Sequence, residues 1–150
     1  MKRVFSLVIL LAFAVLAAAD KALQVDEPYV RAMPPGQSVT AAFLVLKNLS
    51  GNTCTVNGGS SVIAGRLEMH EHRHEQGMMK MRPVSGVTIP AGGQVDFQPG
   101  GLHIMLFDIE SQLLPGETVP IVLTTDVCGE VNIQAEVRSL FKPGKGGHHS

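Results

Sequence analysis

The chain has 150 residues and carries 12 Lys and Arg against 13 Asp and Glu, a formal net charge of −1. Its length fits one domain that can bury a core without help from metals or staples. The balanced charge, with no Lys/Arg cluster, excludes the electrostatic footprint of a nucleic-acid binder and gives no basis for docking on an anionic membrane.

Met1-Lys2-Arg3 is a cationic start, Val4 to Leu16 is an almost unbroken apolar run, and Ala17-Ala18-Ala19 offers a small-residue cleavage site before Asp20. The pattern predicts a cleaved secretory signal peptide over 1–19. An apolar run of about 15 residues is short of the roughly 20 that span a bilayer, so stable membrane insertion is not expected. No Cys follows the run, so no lipid anchor is expected either. Loss of Lys2 and Arg3 leaves ten basic against thirteen acidic side chains. In an exported, oxidising compartment, Cys54 and Cys128 are expected to be joined. Closing a loop of about 75 residues stabilises a fold by about 4 kcal/mol in the chain-entropy model.

Beyond the leader, Asp26 to Arg31 reads as a short strand stopped by Met33-Pro34-Pro35-Gly36, because Pro-Pro-Gly cannot continue a ladder. Val39 to Lys47 is a strand with apolar residues on both faces, which suggests a central position. Asn48 to Asn52 is a turn cluster. Thr53 to Val56 is a short strand that Asn57-Gly58-Gly59-Ser60 should end. Val62 to His72 is extended, with Leu67 and Met69 on one face and Glu68, His70, His72 and His74 on the other. Gln76-Gly77 turns the chain, and Met78 to Val84 returns with Met79 and Met81 on one side.

Further strands are expected over Val95–Gln98, Leu102–Ile109, Thr118–Thr124 and Val131–Arg138. In Leu102–Ile109, the residues Leu102, Ile104 and Leu106 form the apolar face, so His103 and Met105 project together from the other. Eight or nine short strands between Gly/Pro/Asn turns, with no amphipathic helix, predict an all-β sandwich or small Greek-key barrel as a single domain over 20–141. The Gly-rich stretch 142–150, carrying His148 and His149, reads as a flexible tail.

Five of the seven methionines and four of the six histidines lie between Met69 and Met105. Imidazole and thioether are soft donors that favour Cu(I) and consume no thiolate, which suits an oxidising compartment. Zinc fits less well, because methionine is not among its usual ligands. His103 and Met105 converge by strand alternation alone, and His70 and Met81 can join them from neighbouring strands.

The spacing of these four residues resembles the periplasmic copper(I) chaperone family PCuAC (DUF461), whose motif is a His, ten residues, a Met, twenty-one residues and His-x-Met. His70, Met81, His103 and Met105 fit it without a gap. Similar text surrounds them in Val30-Arg31-Ala32, Leu67-Glu68-Met69-His70-Glu71, Gly77-Met78-Met79-Lys80-Met81-Arg82-Pro83-Val84, Ile89-Pro90-Ala91-Gly92-Gly93 and Pro99-Gly100-Gly101-Leu102-His103-Ile104-Met105-Leu106.

The resemblance implies a cupredoxin-like barrel that is not an enzyme. It further implies a monomer that carries Cu(I) in the periplasm through His2Met2 and delivers it to acceptors such as cytochrome c oxidase subunits or assembly factors. His72, His74 and Met79 are candidate auxiliary donors, and His148 and His149 a candidate secondary Cu(II) site. Cys54 and Cys128 stand outside the motif.

Three other readings stay open. Copper storage or resistance needs the same reversible binding. A cupin-like metalloenzyme would use His70, His72, Glu75 and His103, although the Glu and the last His each arrive one residue early for that pattern. A blue-copper site would need a cysteine thiolate beside two His and a Met, and no His or Met stands near Cys128. With the apolar faces turned inward, the four donors are expected to look away from the core, in a shallow site.

Overall fold

The computed structural model describes residues 21–139. The leader expected at 1–19 and the His148-His149 tail lie outside the described residues. Ten strands make up the fold: β1 (Leu23–Arg31), β2 (Thr40–Asn48), β3 (Cys54–Ser60), β4 (Arg66–Glu75), β5 (Met78–Val84), β6 (Val87–Ile89), β7 (Gln94–Phe97), β8 (His103–Phe107), β9 (Thr118–Thr125) and β10 (Glu130–Arg138). The all-β expectation therefore holds. Among the described residues no helix is long and apolar enough to cross a membrane.

One hydrogen-bonded sheet runs β5-β4-β8-β2-β1-β10-β9-β3-β6, with β7 on β2. Only β1 and β10 pair in parallel; the other pairs are antiparallel. The sheet curls until β3 packs on β4, and the enclosed space is filled by Leu46, Ile89, Ile104, Leu106, Ile121 and Leu123, all under 2% exposed. Each fully buried aliphatic side chain contributes about 1.5–3 kcal/mol of transfer free energy. β2 has neighbours on both edges, and Ala41 to Leu44 are buried on both faces, as its two-sided apolar pattern implied. β10 shows the simpler alternation, with Val131, Ile133, Ala135 and Val137 inside and their neighbours exposed.

The structure departs from the sequence pattern in three places. β3 runs on through Asn57-Gly58-Gly59-Ser60 and pairs with β9 across a register shift. The glycines permit this: a Cβ at Gly59 would sit 2.6 Å from the Val122 carbonyl oxygen, so only glycine allows the backbones to approach so closely. Val62 belongs to the preceding turn and is 89% exposed, so β4 begins at Arg66. Val87-Thr88-Ile89 adds a short strand with Val87 and Ile89 buried; three residues are too few for a periodicity signal.

Register on the β5-β4-β8 side of the sheet positions the donors. Gln76 (φ 51°) and Gly77 (φ 77°) form a two-residue turn with both φ values positive, the pattern that locks a tight hairpin. It sets His72 opposite Met81 and His74 opposite Met79. On the other edge of β4, His70 faces His103 and Glu68 faces Met105. Directly opposed residues share a face, so one face of three strands presents His70, His72, His74, Met79, Met81, His103 and Met105 together.

Candidate metal centre

β8 contributes the most enclosed donor. His103 is only 3% exposed, and its Nδ1–H donates to the Gly101 carbonyl at 2.9 Å. That bond selects the tautomer and leaves the Nε2 lone pair free. Burial pushes the pKa of His103 below its ordinary 6.5; the Gly101 bond works against this, while His72, His70 and Arg31 nearby push it lower. The shift favours the neutral ring, the form in which an imidazole can bind a metal ion.

The rings of His72 and His70 lie 5.1 Å and 6.0 Å from that of His103, centroid to centroid. His70 Nε2 lies 2.8 Å from Glu68 Oε2, and Glu68 also pairs with Arg66. The hydrogen bond to His70 is the first cause of the lowered carboxyl pKa of Glu68. With Nε2–H directed at the carboxylate, Nδ1 carries the lone pair. The Nδ1 atoms of His70 and His72 are both buried without a hydrogen-bond partner. Buried polar atoms are normally paired, so two orphaned imidazole nitrogens beside His103 suit a group that they would bind.

His72, Met81, His103 and Met105 line one cleft of about 320 Å³. Its far wall is the Arg31–Ala41 segment, including Met33, Pro34 and Val39, with Pro99 and Gly100 at one side. His70 does not line this cleft, and its side chain is 13% exposed. Met81 is 46% exposed.

Enclosure is therefore graded. The candidate donors share one face, but the expectation of a shallow site is corrected for His103, which is buried with the rings of His70, His72 and Phe43 around its own. Met81 leaves the opposite side open, so the donors do not form a closed cage. Among the described residues no group of three or more His, Cys, Asp or Glu side chains is arranged to hold a metal ion; the thioethers of Met81 and Met105, in the cleft with His72 and His103, offer the donor chemistry of a soft ion.

His74 and Met79 are opposed further out on the hairpin and are remote from His103. Cys54 and Cys128 are joined, Cα to Cα 5.8 Å, so Cys128 presents no thiolate for a blue-copper site. Glu75 binds Arg82 through both carboxylate oxygens, at 3.2 and 2.8 Å, and belongs to the face opposite the histidines. A cupin-like set thereby loses its carboxylate. Sequence reasoning placed Glu68 on the histidine face without giving it a role. The Glu68-x-His70 spacing, which puts both on one side of a strand, was the available signal. Phe43, whose ring centroid is 6.4 Å from that of His103, had no local signal.

The LpqE-like lipoprotein family model matches residues 23–137. Lxx21020 of Leifsonia xyli subsp. xyli (strain CTCB07), named as a lipoprotein, is 36% identical over 102 residues, 67% of this chain and 60% of its own length. RP573 of Rickettsia prowazekii (strain Madrid E) is 30% identical over 115 residues, 74% of this chain and 64% of its own. The matched region thus spans less than two thirds of either relative. Among solved structures, Cu(I)-bound DR1885 from Deinococcus radiodurans is 32% identical, with a TM-score of 0.64 over 86% of this chain and 88% of that one. The copper-bound PCuAC domain of PmoF2 superposes with a TM-score of 0.66 over 79% and 93%, at 21% identity, a likeness of fold.

Proposed function

Since the chain belongs to the LpqE-like (PCuAC, DUF461) family, we propose that it is a periplasmic copper carrier. In this reading it binds Cu(I) as cargo through His70, Met81, His103 and Met105 and releases it to acceptor proteins, among them cytochrome c oxidase subunits or their assembly factors. Its solved relatives include copper-bound forms. The observation that supports the reading most is the meeting of Met81, His103 and Met105 in one cleft, beside two buried imidazole nitrogens without partners.

Each residue has a distinct part. His103 offers Nε2, oriented by the Gly101 carbonyl. His70 offers Nδ1 while Glu68 holds its other nitrogen, a carboxylate–histidine arrangement that raises donor basicity. Met105 and Met81 supply thioethers, which select the monovalent ion and need no deprotonation. His72 is the alternative β4 donor, favoured by its shorter distance to His103 and its place in the cleft wall.

Met81, half in solvent, is the donor that an incoming partner ligand can displace first, so release proceeds by exchange from the open side. Carriage also separates this reading from storage, which asks only for retention. Neither reading assigns the chain a catalytic step.

The test is anaerobic competition for Cu(I) against a chromophoric chelator, followed by transfer to isolated acceptor domains. Met81→Ala and Met105→Ala are each expected to weaken binding by at least about tenfold, a loss of about 1.4 kcal/mol. Retention of full affinity in both variants sinks the site. Tight binding with no release to any acceptor replaces delivery by storage.

A further inference from the structure

The hairpin that carries Met81 continues outward with a second opposed pair of the same kind. His72 faces Met81, and one rung further out His74 faces Met79. The turn Gln76-Gly77 follows immediately, so this rung is near the hairpin tip. Same-face residues of a strand are separated by about 7 Å, a distance that flexible thioether and imidazole side chains can bridge between them.

The two faces of the hairpin differ in kind. One carries Glu71, Arg73, Glu75, Lys80 and Arg82, tied together by the Arg73–Glu71, Lys80–Glu75 and Arg82–Glu75 ion pairs. The other carries no charge beyond the cleft and presents only imidazole and thioether. Packing does not account for Met79, which is 51% exposed on the sheet's edge strand, where charged side chains ordinarily guard against misassociation. His74 is exposed too and has no hydrogen bond or ion pair among the described residues.

We infer that the His74–Met79 rung is a second, weaker Cu(I) station, through which copper passes between the cleft and an acceptor that docks on the hairpin tip. The inference rests on the carrier reading above and adds a route to it. A closed-shell monovalent ion accepts two soft donors, so one imidazole and one thioether are enough for transient residence. Exposure keeps the station weak, and the cross-strand register keeps its two donors opposed. Copper moving from the cleft donors to His74 and Met79 leaves neutral imidazole and thioether ligands for fewer ligands of the same kind, so the step requires no change of oxidation state and no proton transfer.

The experiment is a titration of the intact protein, methyl-labelled at methionine, with Cu(I) supplied anaerobically as its acetonitrile complex and followed by NMR. The first equivalent is expected to shift the Met81 and Met105 methyls, and the second the Met79 methyl and the His74 ring. In His74→Gln/Met79→Leu the first equivalent should bind as before, the second response should vanish, and transfer to an acceptor domain should slow several-fold.

Absence of any Met79 or His74 response to the second equivalent overturns the station. Transfer at an unchanged rate in the variant overturns its role as a route. Failure of Met81 and Met105 to respond to the first equivalent, with Met79 and His74 still responding, refutes the cleft site and leaves the rung standing, so the two ideas fail separately.

Discussion

Replacing Glu68 by Ala or Gln removes the carboxylate that holds His70 Nε2 without touching a proposed donor. If His70 binds copper through Nδ1, Cu(I) affinity is expected to fall by about 10–100-fold, as for other partners of metal-bound histidines. His72→Ala should then cost less than His70→Ala; the reverse ranking in a chelator competition makes His72 the β4 donor. His103 gives a second expectation, in pH. Its pKa is lowered from 6.5, first by burial, so between 6.5 and the folded value the unfolded chain binds more protons than the native one. The stability linked to this ring is full above 6.5 and declines as pH falls below it. An NMR titration of the apoprotein should place the His103 midpoint under 6.5, and a midpoint at or above that value contradicts the burial argument. Strand alternation made the shared direction of His103 and Met105 legible in the sequence. The choice between His70 and His72 was not, because both lie on one face and only cross-strand packing separates their distances to His103.

At the scale of elements, turn chemistry was read well where φ demanded it and poorly where glycine served packing. Gln76-Gly77 reads as a turn, and its positive φ values set the β4–β5 register. Gly58-Gly59 looked like a stop and is instead a stretch of β3 that lets β9 come close. The Asn48–Asn52 cluster reads as a polar turn, yet Asn48 is 1% exposed and works inside the fold. Its Nδ2 donates to the Asn52 carbonyl at 2.7 Å and the Ile89 carbonyl at 3.0 Å, and its Oδ1 accepts from the Ser50 amide and hydroxyl. It thereby ties the end of β2 to β6, a strand too short to hold itself. Asn48→Ala leaves these groups unpaired and should destabilise the protein by about 2 kcal/mol in urea denaturation, with β6 amides losing exchange protection first. A loss below a few tenths of a kcal/mol would show that water replaces the side chain.

For the whole molecule, the single all-β domain followed from strand count and turn spacing, whereas the cover over His103 did not. That cover includes the rings of Phe43 on β2 and of His70 and His72 on β4, all far from β8 in sequence, and long-range contacts leave no local trace. The disulfide lies in the β9-β3-β6 part of the sheet, away from the cleft. Removing it by Cys54→Ala/Cys128→Ala is expected to cost up to about 4 kcal/mol of stability while Cu(I) affinity stays unchanged. A variant that keeps its stability but loses copper would reverse this division of labour. The parallel β1–β10 pairing also bears on timing. Tyr29 aligns with Glu136, and β10 is the only strand between β1 and β9. Until β10 arrives, β5-β4-β8-β2-β1 and β9-β3-β6 have no shared strand, so the barrel is a keystone arch whose last stone is also the last described strand in chain order. A chain that has not yet brought β10 to β1 therefore stays open, with slow closure imposed by so distant a contact, and the cleft beside His103 gains its finished support only when that pairing forms.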